Sequence, residues 1–229
     1  MPSVTDHTNT MTERLTALNG RIAAASARAG HAAAVTLVAV SKKQPAEAVR
    51  AARAAGQTVF GENYAQEGIA KRAALADDAL TWHHIGPIQS NKCADIAEHF
   101  DWAQGVDRER IVRRLGTARG TARPPLQVCV QVNASGEASK SGVAPDDAEA
   151  LCEAVLAQPG LTLRGLMCIP ARDDGERAFT AMRALFDRLR DRGLPLDTLS
   201  MGMSDDFETA IACGATMVRV GSALFGARD

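Results

Sequence analysis

The chain has 229 residues, 46% hydrophobic and 23% charged, with a formal net charge of -1. That length suits one well-filled core near the upper limit of a single domain, and the near-neutral balance excludes an overall field that would gather nucleic acid or an anionic membrane surface. No apolar stretch approaches the roughly 20 residues of a membrane helix.

Met1 to Thr12 lack the basic start and apolar run of a secretory signal. Residues 1–12 are therefore read as a flexible N-terminal tail and 13–229 as the one domain. The cysteines, Cys93, Cys129, Cys152, Cys168 and Cys213, are odd in number and scattered among apolar segments. They suit small core residues in a reducing cytoplasm better than a disulfide framework or a structural metal site.

From Met11 to Ala29, Leu15, Leu18, Ile22 and Ala25 recur at helical spacing, and Gly30 supplies a stop. Val35 to Val40 then form a short, branched, apolar run, the pattern of a strand covered on both faces. Pro45 opens a second helix that ends at Gly56. This alternation repeats, with strands predicted to begin near Val35, Gln57, Thr81, Asp101, Leu126, Thr162, Thr198 and Thr216.

The pattern predicts an α/β fold, a single-domain (β/α)8 barrel, with an open doubly wound sheet as its competitor. No Gly-x-Gly-x-x-Gly follows the first strand, which speaks against a nicotinamide enzyme. Asp146 with Glu149, and Asp205 with Glu208, have the spacing of capping boxes. Ala178, Met182, Leu185, Phe186 and Leu189 predict the packing stripe of a helix over Glu176 to Arg190. Only Ala223 to Asp229 follow the last strand, so the first helix is expected to cover the barrel at that seam or at its floor.

In a parallel barrel, ligands bind where the strands end. The first exit reads Ser41-Lys42-Lys43-Gln44-Pro45, and Lys42 is the better placed amine, with a solvated loop lysine as the plainer reading. The second exit carries Gly61-Glu62-Asn63-Tyr64, either helix capping or a site. In the third, His83 and His84 are adjacent in a strand and so point to opposite faces, which argues against a shared metal. Gln89, Asn91 and Lys92 follow as a polar loop. The fifth exit runs from Val130 to Gly142 and reads either as a solvated connection or as a rim over the mouth, with Lys140 a second candidate amine.

The last two exits carry the strongest pattern. Ser200-Met201-Gly202-Met203-Ser204-Asp205 and Arg219-Val220-Gly221-Ser222 offer backbone N–H groups, hydroxyls and helix starts at the two positions where barrels frequently bind phosphate. Simple turn chemistry is the alternative.

Taken in order, Leu37-Val-Ala-Val-Ser-Lys42, Phe60-Gly-Glu-Asn-Tyr64, His83 with Ile85-Gly86, Gln89-Ser-Asn-Lys92, Ser139-Lys-Ser-Gly142, Gly165-Leu-Met167 with Ile169-Pro170, Met201-Gly-Met-Ser-Asp205, Arg219-Val-Gly-Ser222 and Phe225-Gly226 span nearly the whole chain. Together they closely resemble the pyridoxal-phosphate homeostasis proteins, the YggS or proline-synthetase co-transcribed family, related in fold to the N-terminal domain of alanine racemase.

The resemblance implies pyridoxal 5'-phosphate (PLP) held as a Schiff base on Lys42, with phosphate contacts at Ser204, Gly221 and Ser222. It implies Arg219 facing the pyridine nitrogen, and Asn63, His83 and Met201 lining the pocket. A guanidinium donates and does not accept a proton, which weakens the ring as an electron sink. The implied role is vitamin B6 homeostasis without catalytic residues, as a binder that releases or transfers its cofactor. The alternative is a PLP-dependent amino-acid racemase or lyase, against which stand Arg219 and the short sequence after Ser222. Amino acids and PLP-dependent apoenzymes are the expected partners, and a monomer the expected state, with a dimer as alternative. This chain departs from the family pattern where Lys43-Gln44 replaces Thr-Lys, where His84 replaces a usual phenylalanine, and where Ser222 replaces a frequent threonine.

Overall fold

The structure, a computed structural model, describes residues 4–137, 140–171 and 173–226. Thr36–Val40 (β1), Val59–Glu62 (β2), Thr81–His84 (β3), Trp102–Val106 (β4), Leu126–Gln131 (β5), Leu161–Met167 (β6), Thr198–Ser200 (β7) and Met217–Val220 (β8) close into a parallel barrel in chain order, with β8 paired back onto β1. The eight strands begin within two residues of the positions read from the sequence.

Ala46–Ala54 (α2), Ala65–Leu75 (α3), Cys93–His99 (α4), Glu109–Arg119 (α5), Ala148–Leu156 (α6), Gly175–Asp191 (α7) and Phe207–Ala212 (α8) follow the first seven strands in turn. Val4–Arg28 (α1) precedes them and Ser222–Phe225 (α9) ends the series. The latter is too short to cover a barrel face. Instead α1 packs on α2, α8 and α9 over the β8–β1 seam, burying Met11, Leu15, Leu18, Ile22 and Ala25 in the common core. Each fully buried leucine or isoleucine there contributes roughly 1.5–3 kcal/mol.

α1 begins at Val4, inside the segment read as a tail; residues 1–3 lie outside the described residues. One local expectation is corrected: neither capping box forms. α6 is entered through a 3-10 turn over Pro145–Asp147, and α8 has Asp206 at its N-cap. There Asp206 Oδ1 accepts from the N–H of Met203 at 2.6 Å, tightening the preceding loop instead. The helix after β6 keeps its predicted stripe, and Phe179 joins Ala178, Met182, Leu185, Phe186 and Leu189 among its buried residues.

Strand alternation divides the apolar residues into two sets. Leu37, Ala39 and Phe60 join the layer between sheet and helices. Val38 faces the barrel axis, and a Cβ added to Gly61 would lie 2.8 Å from its Cγ1. At Gly165 a Cβ would come within 1.7 Å of the Thr198 carbonyl oxygen. That close approach of β6 to β7 admits no side chain. The buried cysteines 93, 129, 152 and 168 fill gaps in this packing and Cys213 is half-buried; all five are free thiols.

Candidate functional site

The carboxyl ends of β7, β8 and β1 are neighbours in the barrel, so the loops carrying Ser204, Gly221 and Lys42 share one rim. Lys42 lies two residues beyond Val40, in the turn that follows β1. Lys43 has φ 62°, and its N–H is bound to Glu67 Oε1.

At the neighbouring exits the backbone N–H groups of Gly221 and Ala223 both point at Ser204 Oγ, at 3.4 Å each. Two amides converging on one oxygen make a cradle for an anion. Gly202 shapes its floor: its φ is 91°, and a Cβ would strike Ala210 Cβ at 2.5 Å. Gly221 is buried and Ser222 is exposed at the start of α9.

Inside the barrel a chain of polar side chains crosses the core. Arg219, 3% exposed, donates to Ser200 Oγ at 2.7 Å and to the Cys168 carbonyl at 2.8 Å. Ser200 Oγ donates to Gln104 Oε1 at 2.7 Å, and Gln104 Nε2 lies 2.8 Å from His83 Nδ1. Burial lowers the Arg219 guanidinium from its ordinary value, yet guanidinium stays protonated. Burial likewise pushes His83 down to about 3, so its imidazole is neutral. The thiols of Cys129 and Cys168 are pushed up to about 12 by burial.

The expected site residues do not all meet. Lys42, Ser204, Gly221 and Ser222 gather at one rim; Arg219 and His83 lie in the interior beneath it. Asn63 lines an outer hollow of about 290 Å³ with Tyr64, Gln66, His84, Gln89 and Lys92. Met201 is wholly buried and belongs with Leu199 to the core behind the sheet, because Ser200 takes the inward position. His84 packs edge-on against Phe100, ring centroids 5.4 Å apart, on the face opposite His83. Among the described residues of the fifth exit, Gln131 Nε2 donates to the Ser141 carbonyl at 3.1 Å and Ser135 Oγ accepts from Ala171 N–H at 3.0 Å. This loop is tied to the barrel at both ends; Ser139 lies outside the described residues.

Sequence reasoning missed Gln104, Ser200 and Lys71. Lys71 Nζ is buried beneath the Lys42 turn, bonded to the Ser41 carbonyl at 2.6 Å and to Glu62 Oε1 at 2.7 Å. Gln104 carried a legible signal, a lone polar side chain within the otherwise apolar Trp102–Val106 strand.

Residues 14–229 match the family model described as alanine racemase, N-terminal domain. The chain is 58% identical over 226 residues to the pyridoxal phosphate homeostasis protein of Pseudomonas aeruginosa, covering 96% of this chain and 97% of that one. With the protein of the same description from Escherichia coli K12 it shares 48% over 229 residues, covering 96% and 98%. The solved structure of PipY from Synechococcus elongatus superposes with a TM-score of 0.84 without PLP and 0.81 with PLP bound. That comparison has 38% identity and covers 94% of this chain and 100% of that one.

Proposed function

Because the chain belongs to the family of pyridoxal phosphate homeostasis proteins, we propose that it binds PLP covalently at Lys42 and serves intracellular vitamin B6 homeostasis by holding and releasing the cofactor, without a turnover reaction of its own. The observation that carries this reading is the shared rim: the turn bearing Lys42 at the end of β1 adjoins the exits where two N–H groups converge on the Ser204 hydroxyl.

When bound, PLP supplies an aldehyde carbon with which the Lys42 amine forms a carbon–nitrogen double bond, releasing water, and from which an incoming amine displaces the lysine. The remaining work belongs to the chain. Ser204 and the Gly221 and Ala223 amides hold the phosphate, with Ser222 at the edge of the same cradle. Arg219 presents only donors to the interior. A ring nitrogen facing it gains no proton there, which removes the electron sink that racemisation or elimination needs. Amino acids are the proposed releasing amines and PLP-dependent apoenzymes the proposed recipients, in a reducing cytoplasm that suits five free thiols.

Protein loaded with PLP is expected to show a visible absorption band that Lys42→Ala abolishes and that Lys43→Ala and Lys140→Ala retain. A band that survives in Lys42→Ala overturns the attachment. Sustained exchange of substrate Cα hydrogen, with many turnovers per protein, would instead establish the racemase or lyase reading.

A further inference from the structure

The turn that carries Lys42 is fastened on both sides to one buried ion cluster. Gln44 N–H donates to the Ser41 carbonyl at 3.0 Å, closing a turn with Lys42 and Lys43 at its centre. Lys43 has φ 62°, the left-handed conformation that the third position of a type II turn demands and that a lysine side chain disfavours. Something must hold it there.

Lys71, reaching from α3, does so through three bonds. Its Nζ donates to the Ser41 carbonyl at 2.6 Å, to Glu62 Oε1 at 2.7 Å and to Glu67 Oε1 at 2.8 Å. Glu62 Oε1 also accepts from Ser41 Oγ at 2.6 Å, and Glu67 Oε1 accepts from Lys43 N–H. The residue before Lys42 and the residue after it are thus joined through the same ammonium group.

Removing such a pair from water opposes its own attraction, so a buried lysine–glutamate contact is weak evidence for stability alone. Here the Lys71 and Glu62 side chains are 7% and 0% exposed, and Glu62 Oε2 has no partner. Burial raises the Glu62 carboxyl above its ordinary value, against the hydrogen bonds from Lys71 and Ser41. A cluster that costs this much solvation, placed directly behind a single turn, is explained by the geometry it imposes on that turn.

We propose that Lys71, with Glu62 and Glu67, is the positioning residue for Lys42: by locking Ser41 and Lys43 it fixes the backbone from which the Lys42 amine reaches, so that attachment of the aldehyde needs no rearrangement of the loop. This rests on Lys42 being the attachment residue. Preorganisation of this kind acts on the rate of bond formation, since small misplacements of a reacting group are costly.

The test uses the full chain with Lys71→Met and Glu67→Ala, the second of which breaks only the Lys43 side of the clamp. In the apoprotein, amide hydrogen exchange at Lys43 and Gln44 and reductive methylation of Lys42 report the turn directly. With PLP added well below the unfolding temperature, growth of the visible band reports attachment. Both variants are expected to attach PLP more slowly, on the order of 10- to 100-fold, with faster exchange at Lys43 and Gln44. Lys71→Met should lose thermal stability because Glu62 is left unpaired, whereas Glu67→Ala, at a quarter-exposed side chain, should lose little. Slowing shared by two variants of unequal stability marks positioning. Attachment at the parental rate in Glu67→Ala, or slowing that simply follows lost stability, overturns it. A band that persists in Lys42→Ala would instead defeat the attachment reading, while the exchange rates would still report whether the clamp exists.

Discussion

Arg219 Nη1 donates to Ser200 Oγ at 2.7 Å, and that single bond orients the whole polar chain inside the barrel. Arginine has donors only, so the Ser200 proton points onward to Gln104 Oε1 at 2.7 Å. The Gln104 amide nitrogen is then the atom that meets His83 Nδ1 at 2.8 Å. His83 must accept there, which places its proton on Nε2, in keeping with an imidazole that burial holds neutral down to about 3.

Ser200→Ala interrupts this chain at its centre. It leaves a guanidinium N–H and the Gln104 carbonyl without partners in the interior, at a cost of about 1–3 kcal/mol. Urea unfolding should show a lower midpoint with an unchanged slope. An unchanged midpoint would mean that the two flanking groups find other partners.

His84 stands where the resemblance places a phenylalanine, and its Nδ1 is buried without a partner. Burial pushes it from 6.5 down to about 4, so between those values the unfolded chain binds the extra proton. Stability is therefore complete above pH 6.5 and falls as the pH drops towards 4, by up to about 3 kcal/mol from this residue. His84→Phe, packed against Phe100, should raise stability and make that acid limb shallower, leaving the share contributed by His83, which burial holds down to about 3. Denaturation midpoints measured from pH 4 to pH 8 check it, and a limb as steep as the parent's would assign the acid sensitivity elsewhere.

Ser204→Ala removes the hydroxyl on which Gly221 and Ala223 converge, while leaving Lys42 and the barrel interior untouched. Hydrogen bonds to a charged group contribute about 1.5–3 kcal/mol, so PLP affinity should fall by roughly 10- to 100-fold. The wavelength of the visible band should stay the same. Equilibrium titration with PLP is the measurement, and parental affinity would remove Ser204 from the phosphate site.

Much of this was legible in the sequence because its periodicities are local. Apolar runs such as Thr36–Val40, punctuated by Gly30, Pro45 and Gly56, placed the strands within two residues, and the glycine loops at Gly202 and Gly221 marked the cradle. What stayed hidden depends on residues distant in sequence. Lys71 on an alanine-rich helix reads as a solvated lysine paired with Glu67 at i, i+4; its burial comes from packing against the exit of β1. A strand covered on both faces gives no sign of which face is the axis, so the inward position of Ser200, bonded to Gln104 and Arg219, was not legible. The capping spacing at Asp146 and Asp205 failed for a related reason: the motif records composition, while the approach of the chain decides where each helix starts.

The most direct test of the central claim is to reduce the PLP-loaded protein with sodium borohydride and locate the adduct by peptide mass mapping. A single stable pyridoxyl-phosphate mass on the peptide bearing Lys42, fragmenting to that residue, is the expected result. An adduct on Lys43 or Lys140 with Lys42 unmodified, or no stable adduct on a protein that binds PLP, would contradict it.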